Sequence, residues 1–166
     1  SYNYFSGEGV TDLDEGRPLF VRTPDARLTL ANFMRTHLLS ALATLKIGLD
    51  ILTKEERVAI NCLYGHGGFF KTPQVGQRML SAAVAAPVSV METAGEGGPY
   101  GMALLAAYML WKAEGETLPD YLDHQVSAHA KTETLMADAA DIQGFAAFLE
   151  RYQRGLPLEK LATEVL

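Results

Sequence analysis

The sequence predicts a helix-rich α/β fold, in which a short parallel sheet carries helices on both sides. Two short apolar runs of strand length, at residues 59–64 and 87–92, are each followed by a glycine-rich turn and then by a helical pattern. A strand–turn–helix series of this kind is typical of parallel sheets with right-handed crossovers. The length of 166 residues suits one domain core.

Composition and charge exclude several classes of protein. Hydrophobic residues make up 48% of the chain and charged residues 20%, which is typical of globular rather than disordered proteins. The formal net charge of −6 argues against a nucleic-acid partner and against binding to an anionic membrane. The longest apolar stretch, around residues 103–111, is too short to cross a bilayer. Because the single cysteine, Cys62, cannot form an internal disulfide, we expect a cytoplasmic protein.

The first part of the chain predicts a loop region and then one long helix. Residues 1–28 hold short aromatic and β-branched pieces between glycines and prolines, which indicates loop with one or two short strands at most. From Leu30 to Leu52 apolar residues recur every three or four positions, so we expect a helix with Thr29 as its cap. Thr53, with a glutamate three residues later, predicts a capping box for a short turn.

The predicted core, residues 29–114, continues with the two strands and their helices. After the first strand, Thr72 and Pro73 occupy the cap and first position of a helix that we expect to run to about residue 86. After the second strand, a helix rich in small residues is predicted over residues 101–114.

Residues 115–166 predict a helical tail. It comprises a short helix after Pro119, a stronger helix from Asp141 to Arg154, and a last short helix that restarts at Pro157. Residues 115–140 hold few large apolar side chains and are the predicted linker.

The turn after the first strand is the best candidate for chemistry. Residues 65–72 read Gly-His-Gly-Gly-Phe-Phe-Lys-Thr, and glycines at such a turn let backbone N–H groups approach an anion closely. A phosphate or nucleotide loop is favoured, and a tight turn that binds nothing is the alternative. A P-loop NTPase is a weaker alternative, because Phe70 stands where the P-loop pattern requires its second glycine.

Other polar residues favour structural roles. Thr36, Ser40 and Thr44 form a stripe on the long helix, which indicates a close helix contact more often than a ligand surface. Cys62 is predicted inside a strand as a small buried hydrophobe rather than a nucleophile. Histidines and acidic pairs give no metal site, since the nearest histidine pair, at positions 124 and 129, lacks a third ligand.

Four segments together resemble the C-terminal domain of the FGGY family of carbohydrate kinases, and xylulokinase-like members in particular. They cover about residues 2–113 and read YNYFSGEGVT, RTHLLSALATLK, LYGHGGFFKTPQVGQ and PVSVMETAGEGGPYGMALLAAY. The intervals from Lys71 to Gln77 and from Glu96 to Gly101 agree with the family pattern, whereas Phe69 replaces a glycine. The closing helices from residue 143 onward are similar to those of xylulokinase-like members.

The resemblance implies a partial ribonuclease H-like domain of the actin-like ATPase type, with ATP in the cleft between two such domains. The residues implied to bind the nucleotide are Gly67, Gly68, Lys71, Thr72, Ser40 and Thr44. In this arrangement the two glycines lie against the phosphates or ribose, Thr72 faces the adenine, and Ser40 and Thr44 border the base. No catalytic residue and no protein metal ligand is expected in this chain, so Mg²⁺ would arrive with the nucleotide.

The resemblance also implies the activity, transfer of the ATP γ-phosphate to a hydroxyl of a ketopentose such as xylulose. The sugar contacts and the general base are expected in an N-terminal domain that no segment of this chain matches. Because the chain also begins without a methionine, we expect residues 1–166 to be a C-terminal nucleotide-binding fragment, inactive alone. A stand-alone nucleotide-binding or regulatory module and a structural or oligomerisation domain are the alternatives. An open sheet edge would favour a homodimer.

Overall fold

A computed structural model describes residues 1–128 and 131–166, which form two compact units. Unit 1 comprises residues 1–60, 79–85 and 137–166, and unit 2 comprises residues 61–78 and 86–136. The helices and strands, in chain order, are α1 (Leu30–Asp50), β1 (Leu63–Gly65), α2 (Val75–Val84), β2 (Val88–Met91), α3 (Gly97–Trp111), α4 (Leu118–Leu122), β3 (Thr132–Leu135) and α5 (Ala139–Val165). None of the helices in the described ranges combines the length and apolar character that a membrane crossing requires.

Helix α1 begins where the sequence predicts, because the side chain of Thr29 accepts a hydrogen bond from the backbone N–H of Asn32 at 3.1 Å. Its α-helical part ends at Asp50 and continues as a π-helical turn over Ile51–Glu55. The predicted capping box at Thr53 is wrong. Thr53 lies in the π-helical turn, and its hydroxyl donates to the carbonyl of Leu49 in α1. The hydroxyl is therefore not free to cap a new helix.

The core of unit 1 holds three tyrosines whose hydroxyl groups are all hydrogen-bonded. Tyr2 donates to the carbonyl of Tyr152 at 3.0 Å, and Tyr152 donates to the hydroxyl of Tyr4 at 2.7 Å. The backbone of Tyr2 pairs with that of Leu19 in an isolated antiparallel bridge. Residues 1–28 are therefore mostly loop, as predicted, but their aromatic residues anchor them to the core.

Helix α5 is one continuous helix, and the predicted break at Pro157 is wrong. Its cap, Asp138, accepts a hydrogen bond from the backbone N–H of Asp141. The buried residues along the helix lie on both sides of the proline and are Phe145, Leu149, Tyr152, Glu159 and Ala162. Burial of one continuous face offsets the backbone hydrogen bond that a proline removes.

Unit 2 contains a three-stranded mixed sheet in the order β1-β2-β3. Strand β1 is parallel to β2, with Leu63 opposite Val88, which confirms the predicted parallel pair. Strand β3 is antiparallel to β2, with Leu135 opposite Val88, so the sheet is mixed, whereas the sequence predicts a short parallel sheet. Residues 115–140 are not a linker, because they contain both α4 and β3.

Helix α2 starts and stops at left-handed residues. The predicted start at Thr72 and Pro73 is wrong, because Gln74 has a φ of 62° and the helix begins one residue later, at Val75. Its end at Val84 is followed by Ala85, with a φ of 54°. A residue in the left-handed region cannot continue a right-handed helix, so each one marks a boundary.

Candidate functional site

Two glycine-rich turns of unit 2 lie side by side. The first glycine turn is residues 65–72, after β1, and the second is residues 93–98, after β2. The backbone N–H of Gly67 donates to the carbonyl of Ala94 at 2.6 Å, which joins the two turns. Gly67 has a φ of 99°, a conformation that a residue with a side chain rarely adopts. The turn therefore depends on glycine at this position.

The two phenylalanines of the first glycine turn pack inside unit 2. The ring of Phe70 lies so close to Gly65 that a β-carbon there would clash with it. Phe69 and Phe70 meet edge to face, with ring centroids 5.5 Å apart. By contrast, a β-carbon on Gly67 or on Gly68 would have no neighbour within 4 Å. The two rings, both half-buried, pack against Gly65 and Gly76, and the surface at Gly67 and Gly68 stays open.

Lys71 carries the positive charge of this turn. Its Nζ lies 3.0 Å from Oε1 of Glu96 in the second glycine turn, and both side chains are more than half exposed. An exposed ion pair of this kind contributes little to stability, about 0–1 kcal/mol. Lys71 can therefore exchange Glu96 for a phosphate at small cost.

A cavity of about 510 Å³ adjoins the two turns within unit 2. Its walls come from the first glycine turn, the start of α2, the end of β2 and the start of β3. Its charged lining residues are Lys71, Lys131, Glu92 and Glu133. Apolar side chains, among them Phe70, Val90 and Met91, complete the wall, so the cavity offers both polar and apolar surface to a ligand.

Gln77 holds the cavity wall together. Its side chain is 3% exposed, and its Nε2 donates to the carbonyls of Val88, in β2, and Glu133, in β3, at 2.7 and 2.8 Å. Gln74 contacts the same strand from the rim, donating to the carboxylate of Glu133 at 3.1 Å. In the sequence, Gln77 was noted only as part of the family pattern. Its role in joining β2 to β3 could not be predicted, because β3 was not.

Four of the six residues predicted to bind a nucleotide lie in the first glycine turn. Gly67 and Gly68 form its open surface, whereas Lys71 and Thr72 line the cavity. The helix does not begin directly after the Lys-Thr pair, because the left-handed residue before Val75 intervenes. In a P-loop the helix follows at once, so this backbone argues against the P-loop alternative.

The other two predicted residues, Ser40 and Thr44, belong to α1 in unit 1. The hydroxyl of Ser40 is buried and donates to the carbonyl of Ser1 at 2.6 Å. The hydroxyl of Thr44 shares a hydrogen bond of 2.9 Å with that of Tyr4. Both hydroxyls have partners inside their own unit, and a contact of these residues with the base stays a prediction.

Cys62 and His124 each lie beside a polar side chain. Cys62 is half-buried and immediately precedes β1, with its Sγ 3.2 Å from the hydroxyl of Ser89. His124 lies 3.5 Å from a carboxylate oxygen of Glu116, and His129 falls outside the described residues. The described part of the chain holds no group of three or more histidine, cysteine or acidic side chains placed to bind a metal.

Lys131 and Glu133 line the cavity and were missed by sequence reasoning, because residues 115–140 were interpreted as a linker. The alternation of Thr132, Glu133 and Thr134 was the available signal, since threonine favours strands.

Comparison with known protein families gives a match over most of the chain. Residues 1–110 match the family model described as the FGGY family of carbohydrate kinases, C-terminal domain. A search of curated proteins gave no significant match.

Proposed function

The chain belongs to the FGGY family of carbohydrate kinases, and we propose that it forms the ATP-binding part of an enzyme that phosphorylates a sugar hydroxyl. The observation that carries this proposal is the open surface of Gly67 and Gly68 beside Lys71, at the joint of the two glycine turns. Glycines allow an anion to approach the backbone closely, and a lysine supplies the compensating charge. Phosphates are the part of ATP that fits this surface.

The nucleoside would occupy the cavity next to the turn. Thr72 and Lys71 line both the turn and the cavity, so phosphates on the glycine surface would leave the ribose and base within reach of the cavity. The volume of about 510 Å³ falls in the range of small-molecule sites. Phe70, Val90 and Met91 offer apolar surface for the base.

For Ser40 and Thr44, which belong to unit 1, the proposed role beside the base rests on the family resemblance alone. Because their hydroxyls already bond Ser1 and Tyr4, their proposed contribution is small size at the border of the base rather than donated hydrogen bonds.

Mg²⁺ would accompany the nucleotide. The described residues offer no cluster of three metal-binding side chains, whereas Mg²⁺ commonly binds substrate phosphates with only one or two carboxylates. The bound MgATP would supply the phosphoryl group, and this chain would hold its phosphates through the glycine surface and Lys71.

The proposed substrate is a ketopentose such as xylulose. We further propose that the 166-residue chain alone is inactive. Sugar contacts and the general base are expected from an N-terminal domain, so xylulose should not be turned over by the 166-residue protein. A coupled assay with MgATP and xylulose tests this, and turnover that persists after repurification would contradict it. The homodimer expected from the sequence stays a prediction, which sedimentation velocity checks.

Calorimetric titration with MgATP, using two glycine variants, tests the nucleotide site. Gly68→Val places a side chain where no atom lies within 4 Å, so the fold should survive while the phosphate surface is blocked. Gly144→Val is the matched control, since Gly144 of α5 also has open space and lies outside the site. We expect Gly68→Val to abolish binding and Gly144→Val to leave it unchanged.

Lysine variants test the charge contribution in the same way. Lys71→Gln should weaken MgATP binding by about tenfold to a hundredfold, because charge-assisted hydrogen bonds to phosphate contribute about 1.5–3 kcal/mol. Lys112→Gln, elsewhere in unit 2, is the control.

Two results for the affinity of MgATP decide the proposal. Equal affinities for Gly68→Val and wild type would overturn the proposed nucleotide site. Wild-type affinity tighter than about 1 μM would favour a stand-alone nucleotide-binding module, because half a cleft should bind weakly.

A further inference from the structure

A second cavity, of about 500 Å³, lies in unit 1 and is lined by four arginines. Arg22 and Arg27 come from the loop that precedes α1, and Arg151 and Arg154 come from α5. We call it the arginine cavity. Every residue that lines it belongs to unit 1, so it is independent of the glycine turns.

The loop that carries the first two arginines is held in place by hydrogen bonds. The backbone N–H of Ala26 donates to the carbonyl of Thr23 at 3.0 Å, which closes a turn between the two arginines. The side chain of Asn32, in the first turn of α1, donates to the carbonyl of Arg27 at 2.8 Å. The loop is therefore attached to the start of α1 rather than freely variable.

The other two arginines lie on a regular helical face. Positions 148, 151, 154–155 and 158 of α5 follow one another at intervals of three or four residues, and all line the cavity. Residues at this spacing share one face of a helix. Phe148 and Leu158 on this face therefore give the two guanidinium groups an apolar flank.

The charge of the arginine cavity is opposite to that of the whole chain. The chain has a net charge of −6 and eight arginines, and four of these line this one cavity. None of the described lining residues is acidic. Within the described ranges, none of the four arginines is paired with a carboxylate. Four like charges without acidic partners favour an anionic occupant.

The remaining wall is apolar and aromatic. The rings of Phe20 and Phe33 meet with centroids 5.0 Å apart, and Phe20, Leu28 and Leu158 are 43%, 51% and 47% exposed. The occupant that matches both surfaces carries an anionic group for the guanidiniums and a ring for the aromatic wall.

We propose that the arginine cavity binds a small organic phosphate that carries an aromatic or apolar ring. The planar guanidinium group can donate two parallel hydrogen bonds to one phosphate, which makes arginine better suited than lysine to this task. The volume is that of a small-molecule site. This site is additional to the proposed nucleotide site and uses none of its residues.

Phenyl phosphate is the probe, and a ¹H–¹⁵N correlation spectrum of the full chain is the measurement. We expect saturable shifts in the amides of residues 22–28 and 151–155. Phenol and inorganic phosphate, which each carry half of the recognised chemistry, should each bind at least about tenfold more weakly. Binding of phenyl phosphate should weaken as salt is raised.

The double variant Arg151→Gln/Arg154→Gln should weaken phenyl phosphate binding by about tenfold or more. Arg35→Gln is the matched control, because Arg35 is an exposed arginine of unit 1 that does not line the cavity. Circular dichroism and the unfolding midpoint check that both proteins fold. The proposal is overturned by a spectrum that does not change or by equal affinities in the double variant and the control.

Gly68→Val separates this inference from the proposed function. It should leave phenyl phosphate binding unchanged, since the variant lies in unit 2. If phenyl phosphate instead shifts residues 65–72 and is lost in Gly68→Val alone, the probe occupies the glycine turn. That result would overturn the arginine cavity as a site while supporting the glycine turn as a phosphate site.

Discussion

The two units differ in how far their polar groups are buried and hydrogen-bonded. In unit 1 the hydroxyls of Tyr2, Tyr4 and Tyr152 are buried and bonded to one another or to the backbone. In unit 2 Gly67 and Gly68 leave open space, and the neighbouring lysine is paired only at the surface. Satisfied, buried polar groups stabilise a fold, whereas an open backbone surface with an exchangeable charge can receive a ligand.

The largest expected effect concerns Glu159, the extreme case of a buried polar group in unit 1. Its side chain is fully buried, and Oε1 accepts a hydrogen bond from the backbone N–H of Arg17 at 2.6 Å. No described group bonds Oε2. Glu159→Ala should lower the free energy of unfolding by about 2–4 kcal/mol, because it leaves a cavity and an unpaired N–H group.

Glu159→Gln is the matched control in the same urea-unfolding experiment. It keeps the size of the side chain and an acceptor for the backbone N–H of Arg17, so it should cost less than Glu159→Ala. A wild-type midpoint for Glu159→Ala would contradict a structural role for this carboxylate.

The corresponding test in unit 2 uses Gln77 of α2 and Gln74, which immediately precedes that helix. Gln77→Ala removes the donor shared by the carbonyls of Val88 and Glu133, so it should cost about 1–3 kcal/mol of unfolding free energy. Gln74→Ala removes only an exposed bond to a carboxylate and should cost less than about 0.5 kcal/mol. Urea unfolding measures both. Equal losses would show that the buried amide does not hold the sheet.

The three hydrogen-bonded tyrosines of unit 1, Tyr2, Tyr4 and Tyr152, form a tyrosine cluster, which predicts that the protein loses stability in alkali. Burial and the neighbouring Tyr4 and Glu159 raise the pKa of Tyr2, and burial together with the hydrogen bond to Tyr4 raises the pKa of Tyr152. The folded protein therefore favours the neutral form of both tyrosines. Their contribution to the free energy of unfolding is fully present below pH 10.0, the ordinary pKa of tyrosine, and is lost as the pH rises above it. Urea midpoints between pH 8 and 11 should fall less in Tyr152→Phe than in wild type. An equal fall would place the cause outside the cluster.

A small effect is expected at the end of α1. Burial raises the pKa of Asp50, but hydrogen bonds from Lys46 and Lys54 outweigh it and hold the pKa below the ordinary value of 3.8. This contribution is present above that pH and is lost as the pH falls below it. Asp50→Asn should cost about 0.5 kcal/mol at neutral pH and nothing in strong acid. Unfolding midpoints at the two pH values check this, and a loss that persists in acid would contradict it.

Helical periodicity and an apolar run of strand length predicted one helix and one strand. Helix α1 and its Thr29 cap were predicted because apolar residues repeat at helical spacing directly after a capping residue. Strand β2 was predicted from its continuous apolar run. Strand β3 was missed because three of its four residues are exposed, so no apolar pattern marks it.

The other differences lie where a local sequence rule predicted the wrong helix boundary or left a cavity wall unseen. Pro157 suggested a helix break, yet α5 continues because buried residues follow it. Thr72 and Pro73 suggested a helix start, yet Gln74 adopts a left-handed conformation that no residue pattern signals. The first glycine turn was predicted from its glycines. The cavity beside it could not be predicted, because β3, which brings Lys131 and Glu133 to the cavity wall, was missed.

The most direct test is a MgATP titration of the isotope-labelled wild-type chain, read amide by amide. We expect saturable shifts in residues 65–72, with the largest at Gly67 and Gly68. Saturation that leaves residues 65–72 unshifted would contradict the claim that the glycine turn of unit 2 is the phosphate-binding surface.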